Sequence, residues 1–392
     1  MTPGTSGHRT RGAARALSVD LLAAGALVAA AVLVAPGPAR ADADPRTGTR
    51  PDQQAFFGPA EFLEKSYVFY SLPSPSPNPT SFGPEGARAP NTLWLILEGQ
   101  PALHFYFWNR LQQFIREKDP SHHWAFAPSF TLQMQIRFLR TTSSPVRTPS
   151  FMPRLNFQVF RMDFNTGHAR YREIELVFHL GHHSNGQENC SFTANRLDDQ
   201  NCPPFDTSNP DYSRTNLING GFGTNYLALG GHGKWVTEVD GNNYARTSWS
   251  GGVVGEYHPT NFGPGGLDDV HSRLYGQTRV RFEGEFQRMT DLLVTGRLPH
   301  AVGHARVAAA VEAIFGTGPG IAPYVAWVEA SRTFLELGGA GLFARVYSGQ
   351  DYYNINYVHR IDIQVHAGVI IDFSTPLQFG SGHKEWHKDN SF

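Results

Sequence analysis

The chain has 392 residues with 33 basic and 34 acidic side chains, and its formal net charge of -1 lacks the clustered positive surplus of a nucleic-acid binder. Forty Gly, 27 Pro, 12% aromatic and only 17% charged residues exclude a helical bundle, which needs charged faces and few breakers. What remains is an all-β chain, either two or three ordinary domains or one large closed sheet.

In chain order, residues 1–41 read as a cleaved secretory signal. His8, Arg9, Arg11 and Arg15 precede an apolar stretch from Leu21 to Ala35, and Ala39-Arg40-Ala41 supplies small residues at the cleavage spacing. No later segment reaches the ~20 apolar residues of a spanning helix. Residues 42–90 are expected to be an exit segment and loop, polar from Asp42 to Gln54 and rich in Pro and Ser from Ser71 to Pro90. From Asn91 to Phe373 the chain falls into segments of 8 to 16 residues, many with period-two patterning. Turn chemistry such as Asp240-Gly241-Asn242-Asn243 and Gly263-Pro264-Gly265-Gly266 separates them, giving about a dozen strands. Residues 374–392 follow as a C-terminal extension.

The faces of these strands decide their environment. From Tyr357 to Phe373, Ile361, Ile363, Val365, Ala367, Val369, Ile371 and Phe373 share one face, while Arg360, Asp362, Gln364 and His366 share the other. A sandwich strand averages about 5 to 6 residues, whereas a tilted membrane-spanning strand needs about 9 to 11 with an apolar lipid face and a polar lumen. Ile174, Leu176, Phe178 and Leu180 alternate in the same way with Glu173, Glu175, Val177 and His179. Leu227, Leu229, Trp235 and Val239 are expected to oppose His232, Lys234 and Glu238. Charge inside and hydrocarbon outside is the reverse of a soluble barrel, so a transmembrane β-barrel is predicted.

The strand near Ile174 carries its outward register on through His182 and Ser184, within Gly181-His182-His183-Ser184-Asn185-Gly186. Residues i and i+2 share a face, so an imidazole and a hydroxyl come within reach of each other, the first requirement for an activated nucleophile. His183 points inward by the same count. An orienting group for His182 belongs at equal depth on the next strand, and Asn225 has that position if Thr166-Gly167 and Asp240-Gly241 are turns at one end. A neutral amide suits a hydrocarbon-facing site where a carboxylate would be heavily desolvated. If Gly230-Gly231 is itself a turn, Asn216 or Asn219 takes the role instead. Cys190 and Cys202 are the only cysteines; in an exported chain they are predicted to form a disulfide.

At these residues the sequence resembles the bacterial outer-membrane phospholipase A family, whose hallmark is a strand ending His-x-Ser-Asn-Gly, here His182-His183-Ser184-Asn185-Gly186. Ser143-Ser144-Pro145-Val146-Arg147 leading into Pro153-Arg154-Leu155, and Arg345-Val346-Tyr347-Ser348-Gly349, are further similar stretches in the same order. The resemblance implies a twelve-stranded antiparallel transmembrane barrel that hydrolyses acyl esters of phospholipids, requires Ca2+ and is activated by homodimerisation in the outer membrane. It makes Ser184 the nucleophile, His182 the general base and an asparagine of the next strand the orienter. It also implies calcium oxygens from Gln187, where the family usually has arginine, from Ser213, and from Ser143 as the counterpart of a serine given by the second subunit. Oxyanion donors are expected from the calcium ion and from backbone N–H groups near Asn185 and Gly186. The loop from Gln187 to Tyr212 is longer than the family's. Two other readings compete: a non-catalytic porin or adhesin-like barrel, and an exported soluble β-sandwich.

Overall fold

A computed structural model of the chain describes residues 65–72, 95–107, 123–139, 147–166, 169–193, 202–216, 219–239, 245–292, 301–334 and 339–372. The strands are β1 (Ser66–Leu72), β2 (Leu95–Gln100), β3 (Ala102–Tyr106), β4 (Trp124–Leu139), β5 (Ser150–Thr166), β6 (Ala169–Ser184), β7 (Gly223–Val239), β8 (Ala245–Tyr257), β9 (Tyr275–Leu292), β10 (Ala301–Thr317), β11 (Tyr324–Phe334), β12 (Ala340–Gln350) and β13 (Arg360–Ile371). One short helix, α1 (Asp269–Leu274), precedes β9. From β4 to β13 every strand pairs antiparallel with its sequence neighbour, and β1 pairs with β13. Strand β2 closes the ring, meeting β1 through Tyr67↔Gln100 and β4 through Gly99↔Ile136. Pro101 interrupts this stave because it has no N–H to give, and β3 continues along β4 beyond it. Counting β2 and β3 as one broken stave, the fold is a closed, all-β, twelve-stranded antiparallel barrel. A β-sandwich is excluded, since one continuous sheet contains every strand.

Two expectations need correction. The span 42–90 is not wholly exit segment and loop: Ser66–Leu72 is the stave that pairs with β13 and lets the ring close. Val239 does not share the outward face of Leu227 and Leu229. Register shifts on either side of Glu238 turn β7 over, and Val239 packs on the inner cluster around Val236. Bulges of this kind reverse the alternation beyond them.

Glu238, expected inward with His232 and Lys234, is exposed at the same bulge, whereas in β6 the alternation holds. Ile174, Leu176, Phe178 and Leu180 are exposed outward, while Glu173, Glu175, Val177 and His179 are buried inward. Leu229 is 67% exposed, Trp235 and Trp249 face each other across the outer surface, and Trp249 lies 4.3 Å from the Phe286 ring. The interior is cross-linked by charge. Arg137 binds Glu98 at 2.9 Å and Asp351 at 2.8 Å, Glu329 accepts from Arg306 and Arg345, and His232 lies 2.9 Å from both Glu175 and Glu283.

Apolar clusters lie at both ends of this polar interior. Near the short turns, Tyr106, Ala127, Phe160, Met162, Tyr171 and Val236 pack together. At the opposite mouth, Phe192 and Phe222 of the β6–β7 loop meet Leu267 and Leu274 of the β8–β9 loop, Ile321 after β10, and Ile355 and Tyr357 before β13. Cys190 and Cys202 are disulfide-bonded within the β6–β7 loop. No helix among the described residues is long and apolar enough to cross a membrane.

Candidate active site

The residues singled out at the end of β6 lie beside this capped mouth. His182 and Ser184 continue the outward column of Phe178 and Leu180, whereas His183 turns in and packs edge-on against Phe222 at 5.1 Å. Strand β7 sets Asn225 directly opposite His182 and Gly223 opposite Ser184. Strand β7 runs unbroken through Gly230-Gly231, so no turn falls there, while the Asp240-Gly241 turn lies outside the described residues. His182 Nδ1 and Asn225 Oδ1 are 2.6 Å apart. An amide oxygen can only accept, so Nδ1 carries the proton and Nε2 keeps its lone pair. Asn216 is used elsewhere: its amide donates to the Cys190 carbonyl at 3.2 Å and to Asn219 at 2.8 Å, both inside the loop.

The turn after Ser184 is tied down by Asn185, which is 3% exposed. Its N–H donates to Phe222 O at 3.1 Å, its amide to Gly220 O at 2.7 Å, and its Oδ1 accepts from Phe222 N and Gln187 N. The Asn185 N–H is therefore spent, which corrects its expected oxyanion role. The N–H of Gly186, whose φ of 65° suits glycine, has no acceptor among the described residues. Sequence reasoning missed this knot. Its signal is an Asn in a turn, a residue that commonly bonds nearby backbone.

Two further histidines lie behind the wall. Thr224 Oγ1 is 2.8 Å from His258 Nδ1, and His258 Nε2 is 2.5 Å from Glu256; Thr224 and His258 are buried, while Glu256 is partly exposed. Ser191 Oγ is 2.8 Å from His271 Nε2 but donates its own proton to Gly221 O, while Tyr357 bonds His271 Nδ1 at 2.8 Å. In that relay the imidazole gives a proton to the serine, the opposite of what a nucleophile needs. Burial of His271 outweighs nearby Asp268 and holds its pKa below the ordinary 6.5.

The expected calcium donors are not assembled by one chain. Gln187 is the residue next to Gly186, and its carbonyl, which would meet a Cβ on Gly221 at 2.7 Å, takes no hydrogen bond among the described residues. Ser213 sits on a 3-10 turn, Tyr212–Arg214, capped by Asp211 and fastened through Tyr212 to Pro319; no hydrogen bond joins it to Gln187. Ser143 lies outside the described residues. One unclaimed carbonyl falls short of the roughly six to eight oxygens calcium takes, so the described residues of one chain do not by themselves fit the ion.

No protein-family model matches the chain, and no curated protein matches it in sequence. Among solved structures it is similar to outer membrane phospholipase A from Escherichia coli, at 14% identity and a TM-score of 0.44, covering 80% of this chain and 94% of that one. It is also similar to the calcium-bound dimer of outer membrane phospholipase from Salmonella typhi, at 16% identity and a TM-score of 0.44, covering 80% and 92% of the two chains. A fit this loose transfers no residue roles. The barrel rests on its own strand register, and the site on its own hydrogen bonds.

Proposed function

We propose that the chain is a bacterial outer-membrane hydrolase that releases acyl chains from phospholipids, with Ser184 as nucleophile, His182 as general base and Asn225 as orienter. The carrying observation is the His182–Asn225 hydrogen bond on a face shared with Ser184, set in the outward apolar belt. A phospholipid lying against the wall would bring its ester to Ser184 without leaving the membrane. His182 Nε2 takes the Ser184 proton as Oγ attacks the carbonyl carbon, and the tetrahedral oxyanion finds the Gly186 N–H. Collapse expels the lysophospholipid alcohol, which receives the proton from His182, and water then hydrolyses the acyl-serine by the same route.

Export through cleavage after Ala41 and activation as a homodimer belong to the same proposal. Calcium belongs to it as a requirement shared between two copies, with Gln187, Ser213 and Ser143 as the oxygens this sequence offers. The test is fatty-acid release from phospholipid mixed micelles by purified protein. Ser184→Ala and His182→Ala should each lower kcat by about 10³-fold or more while the barrel stays heat-modifiable on gels. Chelation should abolish activity without unfolding the barrel. Activity retained in Ser184→Ala would overturn the assignment.

A further inference from the structure

We infer that the β8–β9 loop from Asn261 to Gly266 is a positioning element that fixes the Asn225 amide in one orientation, and with it the tautomer of His182. The inference rests on the reading of Ser184 and His182 given above. A side-chain amide can face a histidine with either end. With its oxygen forward it accepts from Nδ1–H and leaves Nε2 able to take a proton; with its nitrogen forward it donates to Nδ1 and forces the proton onto Nε2, which can then no longer act as base. The choice is made on the far side of the amide. Asn225 Nδ2 donates to the carbonyl oxygens of Phe262 and, at 3.2 Å, Pro264. A flipped amide would exchange both hydrogen bonds for two oxygen–oxygen contacts.

Two carbonyls can converge on one amide because left-handed residues alternate along the loop: Asn261 at φ 54°, Gly263 at 70° and Gly265 at 71°. The loop also touches the imidazole and the strand that faces the nucleophile. A Cβ on Gly265 would lie 2.8 Å from His182 Cε1, and the Gly265 carbonyl would meet a Cβ on Gly223, the residue opposite Ser184, at 3.0 Å. It is closed on itself by Asn261 N–H to Leu267 O at 3.0 Å and Gly266 N–H to Gly263 O at 3.2 Å. Leu267, fully buried in the aromatic cap, anchors it to the barrel mouth. The run Asn-Phe-Gly-Pro-Gly-Gly, which reads as plain turn chemistry, thus contacts Asn225, His182 and the strand facing Ser184.

Two measurements test this. In protein labelled with 15N-histidine in micelles, with His182 assigned by difference against His182→Gln, Nδ1 should carry the proton and Nε2 none. A protonated Nε2 in the resting protein would overturn the inference. Gly265→Ala, folded by heat-modifiability, should lose about 10-fold or more in kcat with KM changed less than roughly threefold, because a methyl group shifts the imidazole that takes the proton and leaves the apolar wall that holds the acyl chains unchanged. Asn225→Ala should lose a similar factor, and the double variant should lose no more than about twofold beyond either single one, since both act through one contact. Wild-type kcat in folded Gly265→Ala, or losses that multiply, would overturn the inference. If Gly265→Ala does not fold, the wild-type tautomer decides alone. Activity surviving in Ser184→Ala would remove the hydrolase reading instead, and the tautomer measurement would still stand.

Discussion

Asn225 carries no charge, and on this wall neutrality has a cost and a use. A carboxylate would hold the imidazolium more strongly during attack, but it would face hydrocarbon and meet the carbonyls of Phe262 and Pro264 as a third oxygen. An amide meets all three partners with matching polarity. Its removal should therefore hurt less than loss of the base: Asn225→Ala is expected to lower kcat about 10- to 100-fold with KM little altered, measured on phospholipid micelles. His271 makes a second case at this scale. It is buried and neutral, its pKa lies below the ordinary 6.5, and it ties Ser191 to Tyr357. Between that lowered value and about 6.5 the unfolded chain binds a proton that the folded one refuses, so stability rises with pH across this window. It is complete above the unfolded value and lost as pH falls. Limited proteolysis of the cap should accordingly run faster at pH 5 than at pH 7.5, and His271→Gln should shrink the difference.

Strands β6 and β7 show how much of the fold and site can be read from residues alone. Where apolar and ionisable side chains alternate, as from Ile174 to Leu180, the pattern fixes which face is out, and Asn225, expected at equal depth on the next strand, pairs directly with His182. Val239 escapes because the β7 bulge inserts a residue that no periodicity announces. Strand β1 escapes because Ser-Tyr-Val-Phe-Tyr-Ser-Leu has no charged inner face to mark its alternation; its inward Tyr67 and Phe69 pack on Phe343. The clamp on Asn225 uses main-chain carbonyls, which any sequence supplies, so only the glycines hint at it. The β6–β7 loop shows the same limit: two lone cysteines suggest the bond, but the burial of Cys190 and the exposure of Cys202 come from packing. That bond spans 12 residues, and a loop of this size restricts the unfolded chain by about 3 kcal/mol. The strand ladder is independent of it. Reduction should speed protease cleavage within residues 185–222 while heat-modifiability of the barrel is unchanged; loss of the barrel on reduction would mean the loop holds the staves together.

At the scale of the whole molecule, the competing channel reading meets the state of the lumen. A conducting pore keeps its ionisable groups wet, but here Glu98, Glu175 and Glu329 are each 0% exposed, and each is paired on the inner wall with a cation of a neighbouring strand, Arg137, His232 or the Arg306–Arg345 pair. Desolvated carboxylates are tolerable only with such partners, so the networks and the desolvated inner wall imply each other. The apolar cluster around Phe160 and Tyr171 lies at one end, and the aromatic cap lies at the other. With these inner-wall carboxylates desolvated and paired, the place open to a large apolar substrate is the outer wall, where His182 and Ser184 interrupt the apolar belt. Purified protein in planar bilayers is therefore expected to give no stable single-channel steps, while the same preparation releases fatty acid from phospholipid. Steady ohmic conductance without hydrolysis would mean that the networks open in a membrane, and would return the barrel to the channel class.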